Sequence, residues 1–323
     1  MSTKTVTLTY GNDTMDFTVP EAFLAGDVIR PRSMPPMPPA EILARMRKAL
    51  ENPLGRPPLR ELVGGKIVAV VVSDEFRAGL HELIIEALCG ELARGGPSEV
   101  IFLCATGTHD PAVYAPCIAE KVERLAGAAG LRHRFVGHDC DDPRLVPLGT
   151  TPLGTELAVE QAFLRSEVRV YGHEAKHHYM HGYSLVDKQI VPGISARITV
   201  EQNHKRSLSP DSGPGRCPWH DDPARQHNPF CIDSRDARHM VEHTRMAGDC
   251  SINHRDDLEP FAVDMFSDKD SVYLVAAGDP YEVCRRAVRK ADEQAQFVFD
   301  RKPYLLIYPG GPPASQAMYG VQN

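Results

Sequence analysis

KIVAVVVSDEFRAGLHELIIEALCGELARGGPSEVIFLCATGTHD, residues 66–110, decides the fold. Its opening, Lys66 to Ser73, is a short unbroken apolar run rich in valine, the pattern of a strand buried on both faces. Apolar residues then recur at helical spacing over 79–94, and Ser98 to Cys104 repeats the buried-strand pattern. A second helix is predicted over 112–127, which completes βαβα, and further strands over 131–137 and 167–171. This order predicts an α/β protein with a mostly parallel sheet and helices on both faces.

Working outward, the N-terminal twenty residues alternate polar and apolar like a strand. PRSMPPMPPA at 31–40 must run extended, because proline fixes φ and lacks an N–H. A helix is predicted over 40–52 with Ile42, Leu43, Met46 and Leu50 on one face. On the far side, residues 206–230 are rich in proline, glycine and charge and read as a long loop or insertion. A helix is expected over 234–247. A last βα unit follows, with a strand over 271–276, a helix over 280–296 and a strand over 304–308. The expected division is a catalytic and cofactor-binding domain over 1–265 and a partial α/β domain over 266–323.

The 323 residues are 42% hydrophobic, enough for a substantial core, and a formal charge of −7 disfavours nucleic acid as a partner. The longest apolar runs fall far short of the ~20 residues needed to span a bilayer, so no membrane partner is expected. The N-terminus lacks the basic and apolar regions of an export signal. Eight scattered cysteines, with Cys89 and Cys104 in apolar runs, fit a reducing, cytoplasmic setting.

In open α/β sheets, ligands bind outside the carboxyl ends of the strands. Three motifs fall there: Asp74 and Arg77 after the first strand, Thr106, Thr108 and His109 after the second, and a cluster after the strand at 167–171. Between His173 and His204 that cluster carries five histidines and two lysines. Imidazole is a ligand, an acid and a base near neutral pH, and lysine can be a covalent anchor. Each residue also has a plain reading. Asp74 and Arg77 suit a salt bridge at a helix start, His109 a loop, Lys188 a snorkelling surface position, and His204 a helix end. His177 and His178 cannot both face inward from a regular strand. Cys217, His220, His227 and Cys231 offer four zinc donors at a spacing that matches no known motif. The phosphate-binding patterns GxGxxG and GxxxxGK[ST] are absent.

Together these motifs resemble the lactate racemase family, the nickel-pincer enzymes that act on 2-hydroxy acids. The matching pieces are SDEFR at 73–77, ATGTHDP at 105–111, HHYMHGYSLVDKQIVPGIS at 177–195 and QNH at 202–204. HNP, AAGDPYEV and YPGGPPASQAMY, beginning at 227, 276 and 308, match more weakly. The steps from His178 to Lys188 and from Lys188 to His204 are those of the family. The resemblance implies that Lys188 tethers or contacts a nickel-pincer nucleotide made by separate synthesis enzymes. It also implies that His204 completes the nickel coordination and that His109 and His178 are the acid-base pair. Arg77 would clamp the substrate carboxylate, with Tyr319 also binding substrate. Asp74, Thr106, Tyr183 and Ser184 would serve the cofactor, Asp74 by orienting a neighbour such as Lys188.

Several positions depart from the family. Leu185 and Val186 replace two glycines and are expected to crowd a cofactor phosphate. Phe76 replaces a threonine, Ala78 a proline, and His181 stands where a small residue is common. After Tyr319 the family continues with a site-facing glutamine and lysine, whereas Gly320 follows here, as in a short or truncated member. Two rival readings are a non-catalytic homologue that binds cofactor or metal, and a zinc-dependent hydrolase, for which HExxH is lacking.

Overall fold

The computed structural model describes residues 1–10, 13–24, 34–75, 80–247, 251–255, 258–268 and 271–295. They fall into a smaller unit at the N-terminus and a larger one, residues 34–293. In the smaller unit β1 (Thr3–Tyr10) and β2 (Asp13–Pro20) form an antiparallel hairpin.

The larger unit opens with α1 (Pro39–Glu51), whose N1 proline suits a first turn and which buries the predicted face of Ile42, Leu43, Met46 and Leu50. After the short α2 (Leu59–Leu62) come β3 (Ile67–Ser73) and α3 (His81–Gly95). Next are β4 (Glu99–Ala105), α4 (Pro111–Tyr114), α5 (Pro116–Ala128) and β5 (His133–Gly137). A hairpin, β6 (Val146–Thr150) and β7 (Glu156–Val159), leads through α6 (Gln161–Arg165) into β8 (Val168–His178) and β9 (Gly182–Ser184). Then follow α7 (Arg197–Lys205) and α8 (Pro229–Glu242). The hairpin of β10 (Thr244–Ala247) and β11 (Ser251–His254) precedes β12 (Glu259–Asp268), β13 (Ser271–Gly278) and α9 (Pro280–Ala295).

The central sheet runs β13-β12-β8-β3-β4-β5, parallel from β12 to β5, with β13 antiparallel at one edge and β9 folded back on the end of β8. From β3 the chain winds one way to β4 and β5, then crosses to β8 and β12 on the other side. The order therefore reverses beside β3, and the carboxyl ends of β3 and β8 are the place where open α/β sheets bind ligands.

Alternation along β3 builds both cores. Val68, Val70 and Val72 pack with Ile84, Leu88 and Ile118 of α3 and α5, whereas Ala69 and Val71 join Phe163, Ala237 and Val283 of α6, α8 and α9. Each buried valine stabilises the fold by roughly 1.5–3 kcal/mol. Arg169 of β8 is fully buried and donates to the carbonyls of Leu164, Val241 and Thr244, so one guanidinium ties the ends of α6 and α8. Burial pulls its pKa down to about 10.

Two sequence expectations change. The boundary at 265/266 falls inside β12, and β13 and α9 complete the same sheet and the layer covering it, so residues 266–293 belong to the larger unit. The helix expected over 234–247 starts at Pro229, because the Asn228 side chain accepts from the Phe230 and Cys231 N–H groups. It stops at Glu242, and β10 takes the following residues. The strand expected over 304–308 lies outside the described residues. Among those residues no helix is long and apolar enough to cross a membrane.

Candidate active site

The first part of the site stands over β3. Asp74 follows its last residue, is 2% exposed, and places Oδ2 2.6 Å from Nδ1 of His109 on the loop after β4. With the Nδ1 proton directed at the carboxylate, Nε2 of His109 carries the lone pair, the arrangement of an oriented general base. The His109 side chain is 32% exposed, and its ring lies 5.2 Å from that of Tyr114. Asp74 was expected to orient a neighbour such as Lys188; the neighbour its carboxylate holds is His109. Thr106, expected at the cofactor, is buried and donates its hydroxyl to the His138 carbonyl, so its hydroxyl braces the loop. Arg77 and Tyr319 lie outside the described residues.

The second part is built where β8 turns back through β9, pairing Lys176 with Ser184 and His178 with Gly182. Gly182 has φ +83°, and a Cβ there would fall 1.9 Å from the Arg216 carbonyl oxygen, so only glycine lets this turn seat against the 206–230 loop. His177 is exposed and lies against the rings of Tyr183 and Phe266, whereas His178 is half-buried and stacks on Tyr179 at 4.8 Å. Nδ1 of His178 accepts from the N–H groups of His181 (3.0 Å) and Met180 (3.3 Å), which puts the proton of the neutral ring on Nε2.

Lys188 occupies a 3₁₀ turn over Val186–Gln189 and is 8% exposed, so it does not snorkel to the surface. Gln189 Nε2 donates to the Gly172 carbonyl of β8 at 2.6 Å, pinning the turn to the sheet end. Beneath it, Asp187 accepts from Arg238 (2.6 Å) and from the Trp219 indole (2.7 Å), and Arg238 reaches on to Glu242. Leu185 and Val186, expected to crowd a phosphate, are wholly buried in the core. The two parts are joined by the backbone. Gly107, at φ +58°, donates its N–H to the Gly193 carbonyl at 3.0 Å, and Gly193 N–H donates to the Lys188 carbonyl at 3.0 Å.

His204 stands one residue before the end of α7, with Nδ1 2.9 Å from the Val200 carbonyl and its ring edge-on to Phe230. Burial, and then the charge of Lys188, lower its pKa to about 4, so the ring is neutral. A neutral imidazole whose Nδ1–H is held by a carbonyl presents Nε2 as a metal ligand, the usual state of ligating histidines. His181 is fully buried, with Nδ1 2.8 Å from the Tyr183 carbonyl and Nε2 3.2 Å from Ser234 Oγ. Its burial, and then Lys188, hold its pKa well below the ordinary value. His181 therefore braces the turn.

Ser184 Oγ lies 3.4 Å from Nε2 of His173, whose Nδ1 is 3.2 Å from Oδ1 of Asp264 on β12. This chain orients the Ser184 hydroxyl. Tyr183, expected at the cofactor, is 1% exposed and gives its hydroxyl to Asp292 of α9, with Arg225 beside it. Asp264, Asp187 and Arg238 were missed from the sequence. The one available signal was a lone aspartate inside the apolar run FAVDMF, since a charge in a buried strand needs a partner. The four candidate zinc donors part company: His220 pairs with Asp292 and His227 with Asp211, whereas Cys217 and Cys231 lie in the core.

Fold and site define an α/β protein that carries, about a topological switch point, a carboxylate-backed histidine, a buried lysine and a neutral histidine at a helix end. The pattern of the lactate racemase N-terminal domain matches residues 10–215, and the chain belongs to the lactate racemase family. Lactate racemases from Lactiplantibacillus plantarum and Thermoanaerobacterium thermosaccharolyticum are 26% and 28% identical over 162 residues. Those residues make up 49% of this chain, and the match spans 37% of each relative. The lactate racemase apoprotein from T. thermosaccharolyticum superposes with a TM-score of 0.70 at 21% identity, over 90% of this chain and 63% of that one. A Thermotoga maritima protein gives 0.58 at 20% identity, over 80% and 59%. Both share the fold.

Proposed function

We propose that this chain racemises or epimerises a small 2-hydroxy acid, using a nickel-pincer nucleotide supplied by separate synthesis enzymes. The observation that carries the reading is the Asp74–His109 pair over the switch point, tied through Gly193 to the turn that holds Lys188. The donor chemistry fits the group. His204, neutral and held at Nδ1, would give Nε2 to nickel(II), which takes imidazole readily, and Lys188 would contact or tether the nucleotide. When bound, the group supplies a reversible acceptor for the C2 hydride.

The chain's own residues handle the protons. His109 takes the substrate hydroxyl proton at Nε2, and Asp74 stabilises the imidazolium that results. His178 donates a hydrogen bond from its Nε2–H to the substrate oxygen, and His109 gives its proton back to that oxygen at the end of the cycle. Arg77 would match a substrate carboxylate with its planar fork, and Tyr319 would also bind substrate.

Co-expression with the cofactor-synthesis enzymes tests this. Intact mass should rise by a mononucleotide-sized increment that Lys188→Ala loses, and nickel should be stoichiometric in the native chain and lost in His204→Ala. In a screen of 2-hydroxy acids, His109→Ala should lower racemisation by about 100-fold or more while retaining nickel. Absence of both nickel and adduct, or racemisation indifferent to His109→Ala, overturns the reading.

A further inference from the structure

The imidazole of His204 takes its hydrogen bond from within its own helix, at the Val200 carbonyl, and its ring meets Phe230 of α8 at 4.8 Å. Where Nε2 stands is therefore decided by where the last turn of α7 stands. Its neighbour Asn203 is fully buried, and the Asn203 amide reaches Asp233 Oδ2 at 2.9 Å, Ser234 Oγ at 3.2 Å and the Phe230 carbonyl at 3.4 Å. Asp233, in the second turn of α8, is also fully buried. Its Oδ1 accepts from the Thr151 hydroxyl at 2.5 Å and its Oδ2 from the Thr155 hydroxyl at 2.7 Å, while Arg206 Nε lies 3.2 Å from Oδ2. Thr151 and Thr155 flank the turn between β6 and β7, and Arg206 follows the end of α7. Arg206 closes the array by donating to the Leu153 carbonyl and the Thr155 hydroxyl. A second tie, from Thr199 and Gln202 to Glu156 of β7, holds α7 to the same hairpin and does not reach α8.

We infer that Asp233 is a positioning residue for the nickel centre, locking the last turn of α7 to the start of α8 and to the β6–β7 turn so that His204 is presented at a fixed place. The inference rests on the racemase reading, in which His204 is the protein ligand. A buried carboxylate is costly unless donors surround it, and every group gathered on Asp233 is a donor. An asparagine of the same shape would turn an N–H toward one of them. Two of the four, Asn203 and Arg206, stand on either side of His204 in the sequence, so the array grips the backbone that carries the imidazole. A functional constellation tolerates displacements of only about 0.5 Å. Loosening this grip should therefore weaken the bond to nickel before it unfolds the chain.

The test measures nickel release to a chelator from full chain loaded by co-expression with the cofactor-synthesis enzymes, at a temperature where every variant keeps the native circular dichroism. Asp233→Asn should release nickel about tenfold or more faster than the native chain. Its nickel absorption bands should shift toward those of His204→Ala, and the mass of any Lys188 adduct should stay. Glu91→Gln is the control, since Glu91 is an equally buried carboxylate that pairs with Arg60 and Arg94 on α2 and α3. It should release nickel at the native rate even where its Tm falls as far. Thr155→Val, which removes one hydroxyl and keeps the shape, should speed release to a smaller extent, and it carries the test if Asp233→Asn does not fold. Release at the native rate from Asp233→Asn, or from Thr155→Val in its place, overturns the assignment. Equal acceleration by Glu91→Gln overturns it too, because the effect would then follow lost stability alone. A native chain without nickel overturns the racemase reading and this assignment with it, so the native chain tells the two failures apart.

Discussion

His109 and His178 follow strands on either side of β3, yet their surroundings are opposite in kind. His109 rests on a buried carboxylate that accepts at Nδ1 and leaves the lone pair on Nε2; Nδ1 of His178 accepts from two peptide N–H groups, which leaves the proton on Nε2. One leaves an acceptor at Nε2 and the other leaves a hydrogen-bond donor there. His181 and His204 feel burial and Lys188, whereas the Asp74–His109 part rests on a single hydrogen bond to a buried carboxylate. Two residues of one type, expected from the sequence to be a symmetric pair, thus owe their distinct chemistry to what lies behind them.

The contrast breaks most directly at Asp74. Asp74→Asn removes the charge behind His109 and leaves its shape; racemisation by cofactor-loaded protein should fall by about 10³–10⁴-fold with nickel content unchanged. A loss below about tenfold would remove the distinction between the two histidines. The next largest effect is expected beneath the second part. Asp187→Ala strips a fully buried partner from Arg238 and should cost about 3–5 kcal/mol in chemical denaturation, while an Asp74→Ala control stays well below that. Leu185→Ala should cost roughly 2–4 kcal/mol by leaving a cavity, without improving nickel loading. Better loading with little loss of stability would restore the idea that this side chain crowds a phosphate.

The smallest expected effect is on pH dependence. His181 is held below its ordinary value in the folded chain, so between the ordinary value of 6.5 and its folded value the unfolded chain binds more protons. Stability should therefore fall as pH drops below about 6.5 and be insensitive to this group above it. His181→Gln, which keeps a polar group and loses the titration, should flatten the difference in denaturation midpoint between pH 7.5 and 5.5. An unchanged slope in that variant would mean that other groups set the acid response.

The sequence was informative where one force dominates. β3 and β4 are unbroken apolar runs, and α1 shows its buried face as a simple period, so these elements and the meeting of Asp74 with His109 at the sheet end were legible. β12 was not, because Pro260 and Asp264 interrupt its apolar pattern, and Asp264 makes sense only once His173 is beside it. The start of α8 was readable from Asn228-Pro229 and was passed over because the polar loop before it obscured the cap. Thr106 and Tyr183 show a further limit. A motif names residues in a loop, and only packing decides which face the ligand and which, like the Tyr183 hydroxyl on Asp292, hold the wall.

The contact between the loop of His109 and the turn of Lys188 is an amide of Gly107 meeting a carbonyl of Gly193. Neither partner is a side chain, so no exchange of a neighbouring side chain can delete the bond. The spacing between His109 and Lys188 is thereby insulated from drift in the side chains around them. Those side chains can diverge while the frame that holds His109 and Lys188 stays in register, which is how a scaffold accumulates variants without rebuilding its centre.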